Sequence, residues 1–276
     1  MHNGSLFSVA GYGVVVTGGA SGLGLGYAEA LAENGANVTI LDIDPGRVAE
    51  ETQRLVGLGY AARGAVVDVC NHASLDAAFD AAVAAHGRLD VVFANAGIDS
   101  GPGFLSSWVG ATRPRNPAGA LENYTDDRWN RVIDINLNGI FATLRAGARH
   151  LKPRRSGRMI VTTSVAAYQM EPAIGAAYMT AKAGAAHLTR CIALELAAYN
   201  VTVNAIAPGF FATNIGGGHA KNPAVQEAMG KVIPMHRVGF ADDIKGLALF
   251  LASPASAYIT GQQITIDGGW TLGAAD

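Results

Sequence analysis

Charge, cysteine and long apolar runs are what this sequence has little of. Charged residues make up 15% of the 276 residues and the formal net charge is −2, so the chain has no general electrostatic reason to bind nucleic acid or an anionic membrane. The two cysteines, Cys70 and Cys191, lie far apart with no Cys-x-x-Cys or Cys/His ligand spacing. Neither a disulfide framework nor a metal site is therefore expected, and the cytoplasm is the expected compartment. Glycines interrupt every apolar run well short of a membrane span, and the opening MHNGSLFSVAGYG has no basic region followed by a sustained apolar stretch, so no transmembrane or targeting segment is expected. A small polar or moderately apolar molecule is the default partner.

What the chain does have is apolar residues in a repeating order. Half of it is hydrophobic, and its 35 glycines punctuate periodic segments without clustering. Short runs rich in branched residues recur near Val14, Val38, Val66, Val91, Ile160, Val203 and Ile264, each reading as a strand buried on both faces. Alanine-rich stretches with helical spacing lie between them: Leu23 to Asn34, Ser74 to His86, Asp126 to His150 and Ala176 to Tyr199. Such alternation predicts an α/β fold, one parallel sheet with helices on both faces joined by right-handed crossovers. No linker divides residues 1–276, so a single domain is expected. Two stretches break the rhythm, a long connection near 98–124 and a second near 209–234. Both leave the carboxyl ends of strands, where an open parallel sheet binds ligands, and the second reads as a substrate lid.

The first strand runs into TGGASGLG, where Gly18, Gly22 and Gly24 precede a helix pattern. Glycines there permit a tight turn and a close backbone approach to a pyrophosphate, which a helix amino terminus favours. The second strand ends at Asp42, whose carboxylate can accept from both hydroxyls of an adenosine ribose and would repel a 2′-phosphate; that points to NAD. Asp44, just before Pro45, reads instead as the cap of the next helix.

Taken together and in order, these motifs resemble the short-chain dehydrogenase/reductase superfamily over essentially the whole chain. TGGASGLG matches the family's TGxxxGxG turn, Asp68 its aspartate after the third strand, and Asn95–Ala96–Gly97 its NNAG motif, from which Ala94 departs at the first asparagine. Asn136, Ser164, Tyr178 and Lys182 fall on the family's catalytic tetrad, and Pro208, Gly209 and Thr213 on the segment that touches the nicotinamide. The resemblance implies a Rossmann fold with seven parallel strands and a homotetramer, or a homodimer, in which the long helices pair. It further implies cofactor contacts from Gly18, Ser21, Gly22, Leu23, Gly24, Asp42, Ile43, Asp68, Val69, Asn95, Ala96, Gly97, Tyr178, Lys182, Pro208, Gly209, Phe211 and Thr213.

The residues agree with that chemistry. Tyr178 and Lys182 stand four apart on one helix face and can address one ligand. An ammonium and a positive nicotinamide ring beside a phenol would lower its pKa and make Tyr178 a general base in alcohol oxidation and a general acid in carbonyl reduction. Thr162, Thr163 and Ser164 compete by composition for the role of holding the substrate oxygen, and the resemblance selects Ser164. Asparagine is a poor choice inside a helix; the resemblance makes Asn136 a helix distortion holding a water that serves Lys182, with Asn138 as the competing position. The Tyr178–Lys182 spacing favours an alcohol or ketone enzyme over the family's enoyl reductases.

NAD-dependent interconversion of a secondary alcohol and a ketone, in the oxidative direction, is the expected function. An NADPH-dependent carbonyl reductase of 3-oxoacyl type and a non-catalytic dinucleotide-binding regulator are the alternatives. His219 and His236 stand in or near the lid. Arg113 and Arg115 could clamp a substrate carboxylate, although a charge pair on an exposed proline-rich loop is usually just solvated, and Phe104, Leu105 and Trp108 could wall a pocket or cover an interface. The segment Gly101 to Asn123 is expected to fold over the mouth of the site.

Overall fold

The computed structural model describes residues 3–107 and 113–273. Seven strands, β1 (Gly13–Thr17), β2 (Asn37–Asp42), β3 (Ala62–Val66), β4 (Val91–Ala94), β5 (Gly157–Thr162), β6 (Val201–Pro208) and β7 (Gln263–Ile266), form one sheet in the order β3-β2-β1-β4-β5-β6-β7. Every pairing is parallel, so helices must cross between strands and both faces become covered. On one face α1 (Gly22–Glu33), α2 (Pro45–Gly57) and α8 (Ala241–Ala252) meet Val14, Val16, Val38, Ile40 and Phe93 through Tyr27, Leu31, Leu55, Ile244 and Leu251. On the other, α3 (His72–His86), α5 (Gly139–Arg154) and α6 (Ala176–Ala197) bring Phe79, Leu144 and Leu196 against Val15, Val92, Val161 and Val203. Successive strand residues serve opposite cores, as a period of two requires.

The expectation that every strand is buried on both faces fails at the two edges. β3 and β7 are only partly buried, and Val66 is 53% exposed. An edge strand lacks one neighbour, and β3 also begins earlier than the run near Val66 suggested. The expected continuous helix from Asp126 to His150 is likewise interrupted. α4 (Asp126–Ile133) passes through a π-helical turn at Asp134–Asn138 before α5 begins. As read from the sequence, Asp44 caps α2, its carboxylate accepting from the Arg47 amide at 3.1 Å.

The connection after β4 is ordered onto the rest of the chain where it is described. Pro102 pairs antiparallel with Ile174, and Leu105 with Arg115. Arg128, on α4, gathers it: Nε donates to Ser100 O at 2.7 Å, Nη1 to Ala118 O at 2.8 Å and Nη2 to Pro102 O, while the guanidinium stacks 4.0 Å over the Tyr124 ring. The stretch near 209–234 carries a 3-10 turn, Ile215–Lys221, and α7 (Pro223–Gly230).

Candidate active site

A cavity of about 1230 Å³ opens along the carboxyl ends of the strands. The glycine turn forms one end, and its tightness has a steric cause. A Cβ on Gly24 would lie 2.0 Å from Gly18 O, and one on Gly18 would lie 2.8 Å from Ala96 Cα. Gly18 takes φ +62°, a conformation that favours glycine. Gly24 thus packs the turn from behind, while Gly18, Ser21, Gly22 and Leu23 face the cavity. Ser21 begins α1 without a side-chain cap, and at Gly22 a Cβ would find nothing nearer than Thr213 Cβ at 3.5 Å. A glycine cradle at the amino terminus of α1 is the donor set an anionic pyrophosphate suits, so these residues fit a dinucleotide.

At the end of β2, the Asp42 carboxylate is fixed by amides: Ala20 N donates to Oδ2 at 3.1 Å and Asp44 N to Oδ1 at 3.2 Å. Ile43, 65% exposed, and Asp68 and Val69 complete that end of the cavity. Asn95 ties three strands together, donating from Nδ2 to Thr17 O and Gly18 O and accepting on Oδ1 from the Thr162 hydroxyl at 3.0 Å. Ala96 and Gly97 line the middle, and Pro208, Gly209, Phe211 and Thr213 the opposite wall.

The three hydroxyls left open by composition separate here. Thr162 is taken by Asn95 and Thr163 by Ile206 O at 2.9 Å. Ser164, beyond the end of β5, accepts from Ala166 N at 3.2 Å and carries its hydroxyl to the Tyr178 phenol. Burial pushes that phenol up to about 12; the Ser164 hydrogen bond pulls it back and the Asp99 carboxylate adds to the rise. Lys182, 3% exposed, donates to Thr162 O at 2.8 Å and lies 5.6 Å from the centre of the Tyr178 ring. Burial pushes its ammonium down to about 8. At neutral pH the pair is therefore a neutral phenol beside a largely charged amine.

Asn136 sits in the π-helical turn, fully buried, and does not face the cavity. Its amide donates to Ile98 O and Val132 O, both at 3.1 Å, and accepts from Ile98 N at 3.2 Å. A Cβ on Gly97 would meet Asn136 Oδ1 at 2.7 Å and Lys182 Nζ at 3.6 Å, so the asparagine packs directly behind the segment that separates it from the lysine. The competitor Asn138 turns outward to Asp134 at 2.9 Å.

A second cavity, about 360 Å³, shares Ser164, Tyr178, Gly209 and Phe211 with the first. Asp99, Glu171, Ile174, His219 and Trp270 line it, with Val165 and Ala166. Asp99, Glu171, Arg128 and Trp270 were not anticipated as site residues. An acid two residues after Gly97 and another just before the Tyr178 helix were the available signals, while Arg128 offered none. Arg113, Arg115, Phe104, Leu105 and His236 line neither cavity, and the two arginines and His236 are exposed, as solvated surface residues would be. Arg115 instead stacks 5.5 Å over the Phe104 ring on an exposed hairpin. Trp108 lies outside the described residues.

Residues 18–271 match a family model described as enoyl-(acyl carrier protein) reductase. The chain is 34% identical over 268 residues to the 3-oxoacyl-[acyl-carrier-protein] reductase FabG of Chlamydia pneumoniae, covering 96% of this chain and 98% of that one. Among solved structures it resembles a gluconate 5-dehydrogenase from Burkholderia cenocepacia J2315 in complex with NADP and tartrate, with TM-score 0.86, 33% identity and coverage of 99% and 100%. It also resembles a short-chain type dehydrogenase/reductase from Mycobacterium marinum, with TM-score 0.84, 30% identity and coverage of 97% and 98%.

Proposed function

This chain belongs to the short-chain dehydrogenase/reductase superfamily, as an oxidoreductase that moves hydride between a nicotinamide dinucleotide and an alcohol/ketone pair, and on that premise we propose how its own residues do so and which nucleotide they take. The observation that carries the reading is the shared wall: Ser164 and Tyr178 line both cavities, with Lys182 behind them. Gly18, Ser21, Gly22 and Leu23 hold the pyrophosphate, Asp42 the adenosine ribose, and Pro208 to Thr213 with Lys182 the nicotinamide half. The bound dinucleotide accepts or supplies the hydride.

Ser164 donates to the substrate oxygen, and Tyr178 Oη takes its proton in oxidation or returns it in reduction. Bringing a phenol from about 12 to ~8 for work near neutral pH takes about 5 kcal/mol of preferential phenolate stabilisation. Lys182 supplies part of it, and a positive ring bound in the larger cavity would supply the rest. Asn136 locks Ile98 and the π-helical turn behind Lys182; a water held there would connect the ammonium to solvent.

Asp42 supports NAD as the nucleotide. Its oxygens are aimed by two amides, and Arg47, which lines the same cavity, is engaged with Asp44 at 3.2 Å. Oxidation of a secondary alcohol follows where NAD is kept oxidised, with the cytoplasm as the compartment. NADPH-dependent reduction is the competing reading, favoured by the NADP bound in the Burkholderia relative and by the 3-oxoacyl reductase name of the chlamydial one. The Tyr178–Lys182 spacing supports carbonyl over enoyl chemistry. Trp129, Phe141 and Leu194, exposed by 38%, 43% and 83% on α4, α5 and α6, support helix pairing in a homotetramer. A panel of secondary alcohols followed by NADH absorbance tests the function. Turnover should appear with the native chain and fall by ~10² to 10⁴ in Tyr178→Phe. A Tyr178→Phe variant as active as the native chain would refute it.

A further inference from the structure

The smaller cavity contains a buried acid that hydride and proton transfer do not use. Glu171 is 4% exposed and lines the cavity together with Ser164 and Tyr178. Gln169 Nε2 donates to its Oε1 at 3.0 Å, and among the described residues no other side-chain hydrogen bond reaches the carboxyl group. Its backbone is held firmly. The Glu171 amide donates to Met179 Sδ at 3.4 Å, its carbonyl accepts from Ile174 N at 2.9 Å, and Gly103 N and Leu105 N clasp the two carbonyls that follow. The residue that carries the acid is therefore built into the wall, with its side chain buried there. Burial pushes it up to about 7, against the pull of Gln169 and of the charge on exposed Arg113.

The rest of the wall defines what such an acid can recognise. Asp99 adds a second carboxylate and His219 an imidazole, while Val165, Ala166, Ile174, Phe211 and Trp270 are apolar. No arginine or lysine is among the described lining residues. A carboxyl group buried with one neutral donor lacks hydrogen bonds that water would have provided, and a donor on a bound molecule restores them. An anion in the same place would face the Asp99 carboxylate and, increasingly as pH rises through about 7, an ionised Glu171 as well.

Resting on the oxidoreductase reading of this site, we propose that Glu171 selects the substrate: it accepts a hydrogen bond from a hydroxyl or protonated amine carried elsewhere on the molecule whose carbon reacts beside Tyr178, and the cavity rejects carboxylates. The substrate class is then a hydroxylated or amino-substituted ketone or its alcohol, not a sugar acid.

The test uses matched ketones that differ in one substituent, methyl, hydroxyl, protonated amine or carboxylate, with the native chain, Glu171→Gln and Glu171→Leu. Native kcat/KM should be at least ~10-fold higher for the hydroxyl and amine compounds than for the methyl compound, and lowest for the carboxylate. Glu171→Gln keeps an acceptor oxygen without the charge, so it should retain the hydroxyl preference while the amine preference falls ~10-fold. Glu171→Leu should lose both. The nucleotide Kd, unchanged in all three proteins, reports an intact fold. A carboxylate compound used as well as the hydroxyl one, or a substrate order that survives Glu171→Leu, would overturn the proposal. Calorimetric Kd values for the same compounds on the nucleotide-bound proteins read that order without turnover. Absence of turnover with every compound would thus count against the oxidoreductase reading, while the Kd order still decides Glu171.

Discussion

Replacing Asp42 with asparagine should shift the nucleotide preference of this enzyme toward NADP. In the native chain both carboxylate oxygens are occupied by the amides of Ala20 and Asp44 and directed to the end of the large cavity. A 2′-phosphate placed against that carboxylate brings like charges within ~5 Å. At an effective dielectric of ~20 to 80, each pair of unit charges costs about 1 to 3 kcal/mol. Asp42 is only half-buried, and a phosphate monoester carries between one and two charges, so a net penalty of about 2 to 4 kcal/mol is reasonable after screening. That corresponds to a ratio of about 30- to 1000-fold between kcat/KM for NAD and for NADP. Asparagine removes the charge and keeps one oxygen for an amide donor, so the fold should survive and the ratio should collapse toward unity. The assay is steady-state kcat/KM with both nucleotides at two ionic strengths. The native preference should shrink at higher salt, because the discriminating force is Coulombic. A native preference for NADP, or a ratio unchanged by Asp42→Asn, would refute the reasoning.

Other residues give separate tests. The Glu171 carboxyl, at about 7 against the ordinary 4.5, binds its proton more tightly in the folded chain. The stability it contributes is complete below the ordinary value and is lost as pH rises to about 7, by at most about 3 kcal/mol. Thermal melts between pH 4.5 and 8 should show a shallower decline for Glu171→Gln, and an identical slope would refute the raised pKa. Arg128→Ala frees the carbonyls of Ser100, Pro102 and Ala118; substrate KM should rise ~10-fold with little change in nucleotide KM, and hydrogen exchange across residues 100–107 and 113–124 should quicken. An equal rise in both KM values would show that Arg128 supports the whole site and not the connection after β4 alone. Gly24→Ala places a Cβ 2.0 Å from Gly18 O and 2.4 Å from Asn95 Nδ2, so unfolding should be easier by about 2 kcal/mol or more. Native-like melting would mean that the turn yields without strain.

Local order was legible in the amino-acid sequence because it depends on near neighbours. Branched runs alternating with helical spacing specified seven parallel strands and their crossovers; glycines marked the turn after β1; Asp44 before Pro45 marked a cap. Tyr178 and Lys182 share a face because they are four residues apart on one helix. The tertiary structure decided what depends on distant partners. The order of the strands left β3 and β7 at the edges and half-exposed. The helix from Asp126 is distorted at Asn136, whose amide meets the backbone of Ile98, 38 residues away. Choosing among Thr162, Thr163 and Ser164 required Asn95 and Ile206, which engage the first two. Glu171 and Arg128 acquire their places only where the long connection folds back on both. A period of two or 3.6 reports which face a residue is on, whereas the partner waiting on that face is set by the folding of the whole chain.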